Sequence, residues 1–195
     1  MKIITTIILN ILLISCTTYQ TPQGKTKILT FPHKDNYSLS YKNTQNIREI
    51  DNLLLDSCIK NNNLTIIFVW YPLCGSLYQD VIKVAKELKT IEHKFPNQVT
   101  NLFIASSYHT EAIIHFAKEI NHKKVSFIMK NKNYGKFVLK KTIKFNVSIC
   151  NNCDKVYKGD TMEFAVFILN RNKETLYATS LEDFNSEIVS KIINP

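Results

Sequence analysis

The stretch Leu64-Thr65-Ile66-Ile67-Phe68-Val69-Trp70-Tyr71-Pro72-Leu73-Cys74-Gly75-Ser76 decides how this chain is read. Its first seven residues are almost all apolar, and several are β-branched. A strand buried on both faces reads this way, because neither side of the pleat meets water. Pro72 ends the run, and a long amphipathic pattern follows to about residue 95. Val81, Ile82, Val84, Ala85 and Leu88 form its inner stripe. Cys74 therefore stands between a buried strand and a long helix.

Working outward, the spacing of Ile47, Ile50, Leu54, Leu55 and Cys58 predicts a helix over 47–60 with Asn46 as its cap. Residues 101–106 and 164–169 read as two further buried strands, and 125–129 as a shorter one. A helix is expected over 110–120, capped by Thr110. Residues 175–179 form a hairpin partner after a turn at 170–173. A last helix is expected over 181–193, with Ser180 as its cap. Residues 37–41 alternate as an edge strand does. The lysine-rich stretch 130–162 gives no clear element. Helices alternating with buried strands, then an antiparallel hairpin, make a three-layer α/β sheet.

The chain begins Met1-Lys2, runs through the uncharged, mostly apolar residues 3–14 and reaches Leu13-Ile14-Ser15-Cys16. A basic start, a short apolar core and a small residue at the exit describe a secretory signal peptide. The run falls short of the ~20 residues that a spanning helix needs. Its ending resembles the lipobox of bacterial lipoproteins, a family in which the Cys is acylated and becomes the N-terminus. That resemblance implies lipidation at Cys16, a bacterial cell-envelope location on the periplasmic side and a membrane partner through the anchor. The division expected is a signal peptide at 1–15, a polar tether at 16–36 and one domain at 37–195. A hydrophobic content of 45% suffices for a core in a domain of this size. The net charge of +9, concentrated locally from Lys123 to Lys144, reads first as a solvated basic face, and also suits anionic lipid headgroups or an acidic partner. No motif of nucleic-acid readout is present, so no nucleic-acid partner is expected.

Five cysteines are present. With Cys16 acylated, Cys58, Cys74, Cys150 and Cys153 remain, in a compartment where disulfides persist. Cys58 shares the apolar stripe with Leu54 and Leu55 and reads as a small buried hydrophobe. Cys150-Asn151-Asn152-Cys153 is compatible with a local disulfide, an exchange-active pair or two inert thiols. It is weak as a zinc site, which wants four ligands, and His109, His115 and His122 are too scattered to complete one. No metal or cofactor is expected. Trp70 lies where it lines a groove or fills the core. Gly75 permits close backbone approach.

The element order, with Cys74 in this place, resembles the thioredoxin fold, and most of all the membrane-anchored thioredoxin-like lipoproteins. In that family the first long buried strand ends in Trp-x-x-Trp-Cys-x-x-Cys at the start of a long helix. Trp70, Cys74 and Gly75 match; Leu73 replaces the second Trp, and Leu77 stands at the second Cys. The stretch from Phe167 to Lys173 resembles the family's strand and Asp-x-Asp-Gly turn. The family carries a cis-proline at the start of that strand, a slot that falls here at Phe164. The resemblance implies a three-layer α/β/α sandwich with a mixed central sheet. It also implies thiol–disulfide exchange at Cys74, with Cys150 or Cys153 as the second sulfur. Trp70, Gly75 and Phe164 would line the substrate groove. Loss of the second Cys and of the proline implies the alternative, a non-catalytic module that binds an envelope protein.

Overall fold

The computed structural model describes residues 28–29, 47–71, 77–150 and 164–194. The strands are β1 (Ile28–Leu29), β2 (Ile47–Ile50), β3 (Leu64–Trp70), β4 (Val99–Ala105), β5 (Ser126–Met129), β6 (Phe164–Asn170) and β7 (Thr175–Ser180). The helices are α1 (Asn52–Lys60), α2 (Tyr78–Lys94), α3 (Thr110–Glu119), α4 (Asn131–Tyr134), α5 (Val138–Ile149) and α6 (Ser186–Ile193). The strands form one sheet in the order β1-β2-β5-β4-β3-β6-β7. From β1 to β3 every neighbour is parallel; β6 and β7 are antiparallel.

Helices cover both faces. On one face α2, α3 and α6 pack Leu88, Phe116 and Val189 against Ile66, Phe68, Phe103 and Ile168. On the other, α1 and α5 pack Leu55, Ile59, Phe145 and Ile149 against Ile67, Leu102, Phe127 and Phe167. The neighbours Ile66/Ile67 and Phe167/Ile168 divide between the two cores, as the two-residue period of a strand requires. β3 and β4 are buried along almost their whole length because each has a strand on either side and helices over both faces. This is the mixed three-layer α/β arrangement of a thioredoxin-like fold. A parallel strand–helix–strand passes from β3 through α2 to β4, and the chain closes with an antiparallel pair and a helix.

Several local expectations are corrected. Residues 47–50 are a strand, not the first turns of a helix. The spacing of Ile47 and Ile50 fits both periods, but those two side chains enter opposite cores. The helix begins after Asp51, whose side chain accepts from Leu54 N at 3.0 Å. Ile28–Leu29, inside the stretch read as a tether, pairs in parallel with β2. Thr110 is the first helical residue rather than the cap, a position held by His109. Ser180 does not open the last helix. Its hydroxyl accepts from Asp183 N and donates to Asp183 Oδ2, holding a turn, and Asn185 caps α6 through Glu187 N and Ile188 N. The stretch read as irregular contains α4 and α5. Gly135 follows α4 with φ of 99°, a left-handed backbone that glycine adopts without strain. The edge strand expected at 37–41 lies outside the described residues.

Candidate functional site

In a sheet of parallel strands, the carboxyl ends gather loops at one edge, and ligand sites collect there. β3 delivers the chain to that edge at Trp70 and Tyr71, and α2 leaves it at Tyr78. Cys74 and Gly75 belong to residues 72–76, outside the described residues, as do Cys16 and Cys153.

What frames the loop is well defined. Trp70 is 4% exposed, and its ring stacks on Phe116 of α3 with centroids 4.1 Å apart. It belongs to the core rather than lining an open groove, one of the two roles its place allowed. Its carbonyl accepts from Ser106 N at 3.0 Å and Ser106 Oγ at 3.2 Å, which ties the end of β3 to the end of β4. The β3–β6 register runs from Leu64 opposite Asn170 to Phe68 opposite Val166. Phe164 opens β6 beyond an irregularity at Ala165 and pairs with Ser180 of β7, past the last β3–β6 pair, on the side where the loop departs. Leu77, at the second Cys position, is 42% exposed and supplies no side-chain cap to α2. Among the described residues, no side chain caps the first amides of that 17-residue helix. Free N–H groups and the helix dipole together stabilise an anion arriving from the preceding loop.

Cys150 stands elsewhere. Its amide donates to Asn146 O at 3.1 Å at the end of α5. Thr175, which pairs with Leu169, directs Oγ1 to Ile149 O at 3.5 Å, and Leu169 pairs with Thr65 at the start of β3. Cys150 is therefore level with the edge where β3 begins, about 20 Å of strand from the edge where it ends. A disulfide needs Cα atoms within ~7 Å. Cys150 is disulfide-bonded, and its partner lies outside the described residues, because Cys58 is a free buried thiol. Burial raises the Cys58 thiol to about 12, against the opposing charge of Arg48. That keeps it protonated and unreactive, as its place on the apolar stripe implied.

The sequence reading missed a buried polar cluster at the carboxyl edge, on β2 and after β4 and β5. Tyr108 donates to Glu49 and accepts from Asn131 N at 3.2 Å. Lys141 of α5 is 0% exposed, with Nζ 4.7 Å from the Tyr108 ring centroid and no hydrogen-bond partner among the described residues. Burial lowers its amine to about 8, with the Glu49 charge opposing. Nothing in the pattern marked Lys141, which sits in a run of surface-like lysines. His122 is also buried, its Nε2 3.3 Å from Val125 O and its ring edge-on to Phe103, and burial lowers it to about 4. His115 is exposed and bonds Tyr78 Oη at 3.0 Å. Among the described residues, no three His, Cys, Asp or Glu side chains converge as a metal site.

No protein-family model and no curated protein matches the chain. Among solved structures, it is similar to yeast Sco1 with copper bound, at 14% identity and a TM-score of 0.43 over 68% of this chain and 80% of that one. Yeast Sco1 in a second structure matches at 14% identity and a TM-score of 0.41, over 67% and 84% of the two chains. A thioredoxin-like protein from Bacteroides caccae matches at 14% identity and a TM-score of 0.41, over 68% of this chain but 40% of that one. The class that the sheet order and layers define is thioredoxin-like. No helix among the described residues is long and apolar enough to cross a membrane.

Proposed function

We propose that this protein carries out thiol–disulfide exchange on envelope proteins, held at the periplasmic membrane surface by a lipid on Cys16. The observation that carries the reading is the position of residue 74 in the chain. It lies between the carboxyl end of a buried strand and the start of a long helix that no described side chain caps. A thiolate there gains from free amides and the helix dipole, and the thiolate is the attacking form. Cys74 would attack one sulfur of a substrate disulfide, forming a mixed disulfide and releasing the other sulfur as a thiolate. A second thiol of this chain then attacks the Cys74 sulfur, releases the remaining substrate thiolate and leaves an intramolecular disulfide. The substrate gains two electrons and the two protein thiols lose them. Cys153 is favoured over Cys150 for the second step. Cys150 is level with the wrong edge of the sheet, while Cys153 begins the segment that returns to Phe164. The disulfide at Cys150 is the oxidised state of that segment, so each cycle begins only after an external dithiol has reduced it and freed the second thiol.

Insulin reduction by wild type and Cys74→Ser, with Cys74 alkylation followed against pH, tests this. Loss of reduction in Cys74→Ser and an alkylation midpoint well below ~8.5 are expected. A midpoint at the ordinary value favours the second reading, a lipid-tethered binding module. Leu77 supports that reading, since it puts an exposed aliphatic side chain where a dithiol site would hold its second sulfur.

A further inference from the structure

α5 has two sides of different kinds. Val138, Lys141, Phe145, Asn146 and Ile149 point into the protein and are buried. On the outer side, Leu139, Ile143 and Val147 recur at four-residue intervals and form one row along the helix. Leu139 is 51% exposed and Val147 58%, and Phe137, just before the helix, is 52% exposed. Soluble surfaces scatter such residues singly; here Leu139, the half-buried Ile143 and Val147 follow one another along one side of the helix, with exposed Phe137 just before its first turn. Lys140 and Lys144 lie one position further round and form a parallel row, both exposed, with exposed Lys132 on α4 nearby in the chain. No Asp or Glu occurs between residues 120 and 153 to balance them. Asp56 of α1, the other helix on this face of the sheet, is ion-paired with Lys173 at 2.5 Å.

From this pairing of rows we infer that the outer face of α5 docks on an anionic phospholipid bilayer, with Leu139, Val147 and Phe137 entering the headgroup–acyl boundary. Lysines flanking an apolar strip keep their ammonium groups at phosphate level while their stems lie in the apolar zone. A helix face with two exposed lysines beside its apolar row, and no acidic residue near them in the chain, matches a negatively charged, fluid surface. The inference stands on α5 alone and does not need the acyl group on Cys16.

The test uses the full chain carrying Cys16→Ser, so that no acyl group contributes. Lysine acetylation is mapped residue by residue with phosphatidylcholine vesicles, with mixed phosphatidylcholine–phosphatidylglycerol vesicles and with none. Site-resolved labelling separates α5 docking from any attachment made by residues 3–14. On anionic vesicles, labelling of Lys140 and Lys144 should fall by about threefold or more. Lys83 and Lys86, exposed on α2 across the sheet, should be unchanged. Leu139→Asp with Val147→Asp, both on exposed positions, should abolish the protection while Lys83 and Lys86 labelling stays the same. Equal labelling of α5 and α2 lysines on anionic vesicles overturns the proposal. So does protection that survives the double substitution, equal protection on phosphatidylcholine alone, or equal protection by polyglutamate in place of lipid.

Discussion

Lys141→Met removes the costliest charge in the interior while keeping an unbranched side chain of similar reach. An amine held at about 8 instead of its usual 10.5 loses roughly 3 kcal/mol as a cation in the folded protein, since each pKa unit is ~1.4 kcal/mol. The substitution also forfeits the contact with the Tyr108 ring, on the order of 1–2 kcal/mol for a desolvated cation. The variant should therefore be more stable than wild type at pH 7 by about 1–2 kcal/mol, or about 3–6 °C in Tm for a domain of this size. Below pH 8 both folded and unfolded wild type hold the proton, so the penalty is constant. Between pH 8 and 10.5 the unfolded chain binds more protons than the folded one, and wild-type stability rises. The advantage of the variant should shrink across that window and vanish above it. Urea unfolding followed by the emission of Trp70, the single tryptophan, reads both quantities. Tyr78 is raised to about 12 and Cys58 likewise, so both destabilise the fold at high pH; they act equally on both proteins and cancel in the difference. A variant less stable than wild type at pH 7, or an advantage that does not change between pH 7 and 10.5, would refute the reasoning.

His122 should behave in the acid range. Its folded form titrates near 4 and its unfolded form near 6.5, so stability is lost as pH falls from 6.5 towards 4, by up to roughly 3 kcal/mol. His122→Phe should flatten that part of the urea-midpoint profile, and a wild-type profile already flat there would count against a neutral buried ring. Asp51→Ala should cost about 1 kcal/mol through loss of the α1 cap, plus little from the half-exposed pair with Lys130 at 3.4 Å. Asp51→Asn should recover most of it in the same urea titration, and equal losses in both would show that the cap is not the cause.

The parts of the fold readable in the sequence were those whose pattern had a single meaning. β3, β4 and β6 are mostly apolar runs because each is covered on both faces, and α2 has an apolar stripe against a charged one. β2 was misread because three residues separate Ile47 from Ile50, a helical interval, and only the sheet edge beside β5 decides between the periods. α5 was invisible for a chemical reason. Its inner row includes Lys141, and its outer row includes Leu139 and Val147, so apolar and cationic residues occupy both sides. At the site, Cys74 and Phe164 were nominated by their places relative to β3 and β6. That Trp70 is core follows from Phe116, which is 46 positions later and is brought over it by the α3 crossover. The edge at which Cys150 sits depends on the direction of α5, an element the pattern did not reveal.

The stacked pair of Trp70 and Phe116 links two stretches that sequence order keeps apart. Phe116 belongs to the crossover that brings β5 between β4 and β2, so the roof over the last residue of β3 is supplied by the same segment that widens the sheet. A change that loosened that crossover would uncover the indole and slacken the take-off point of the cysteine loop together. The lone indole is thus a built-in optical gauge, whose emission colour reports how firmly the end of β3 is held.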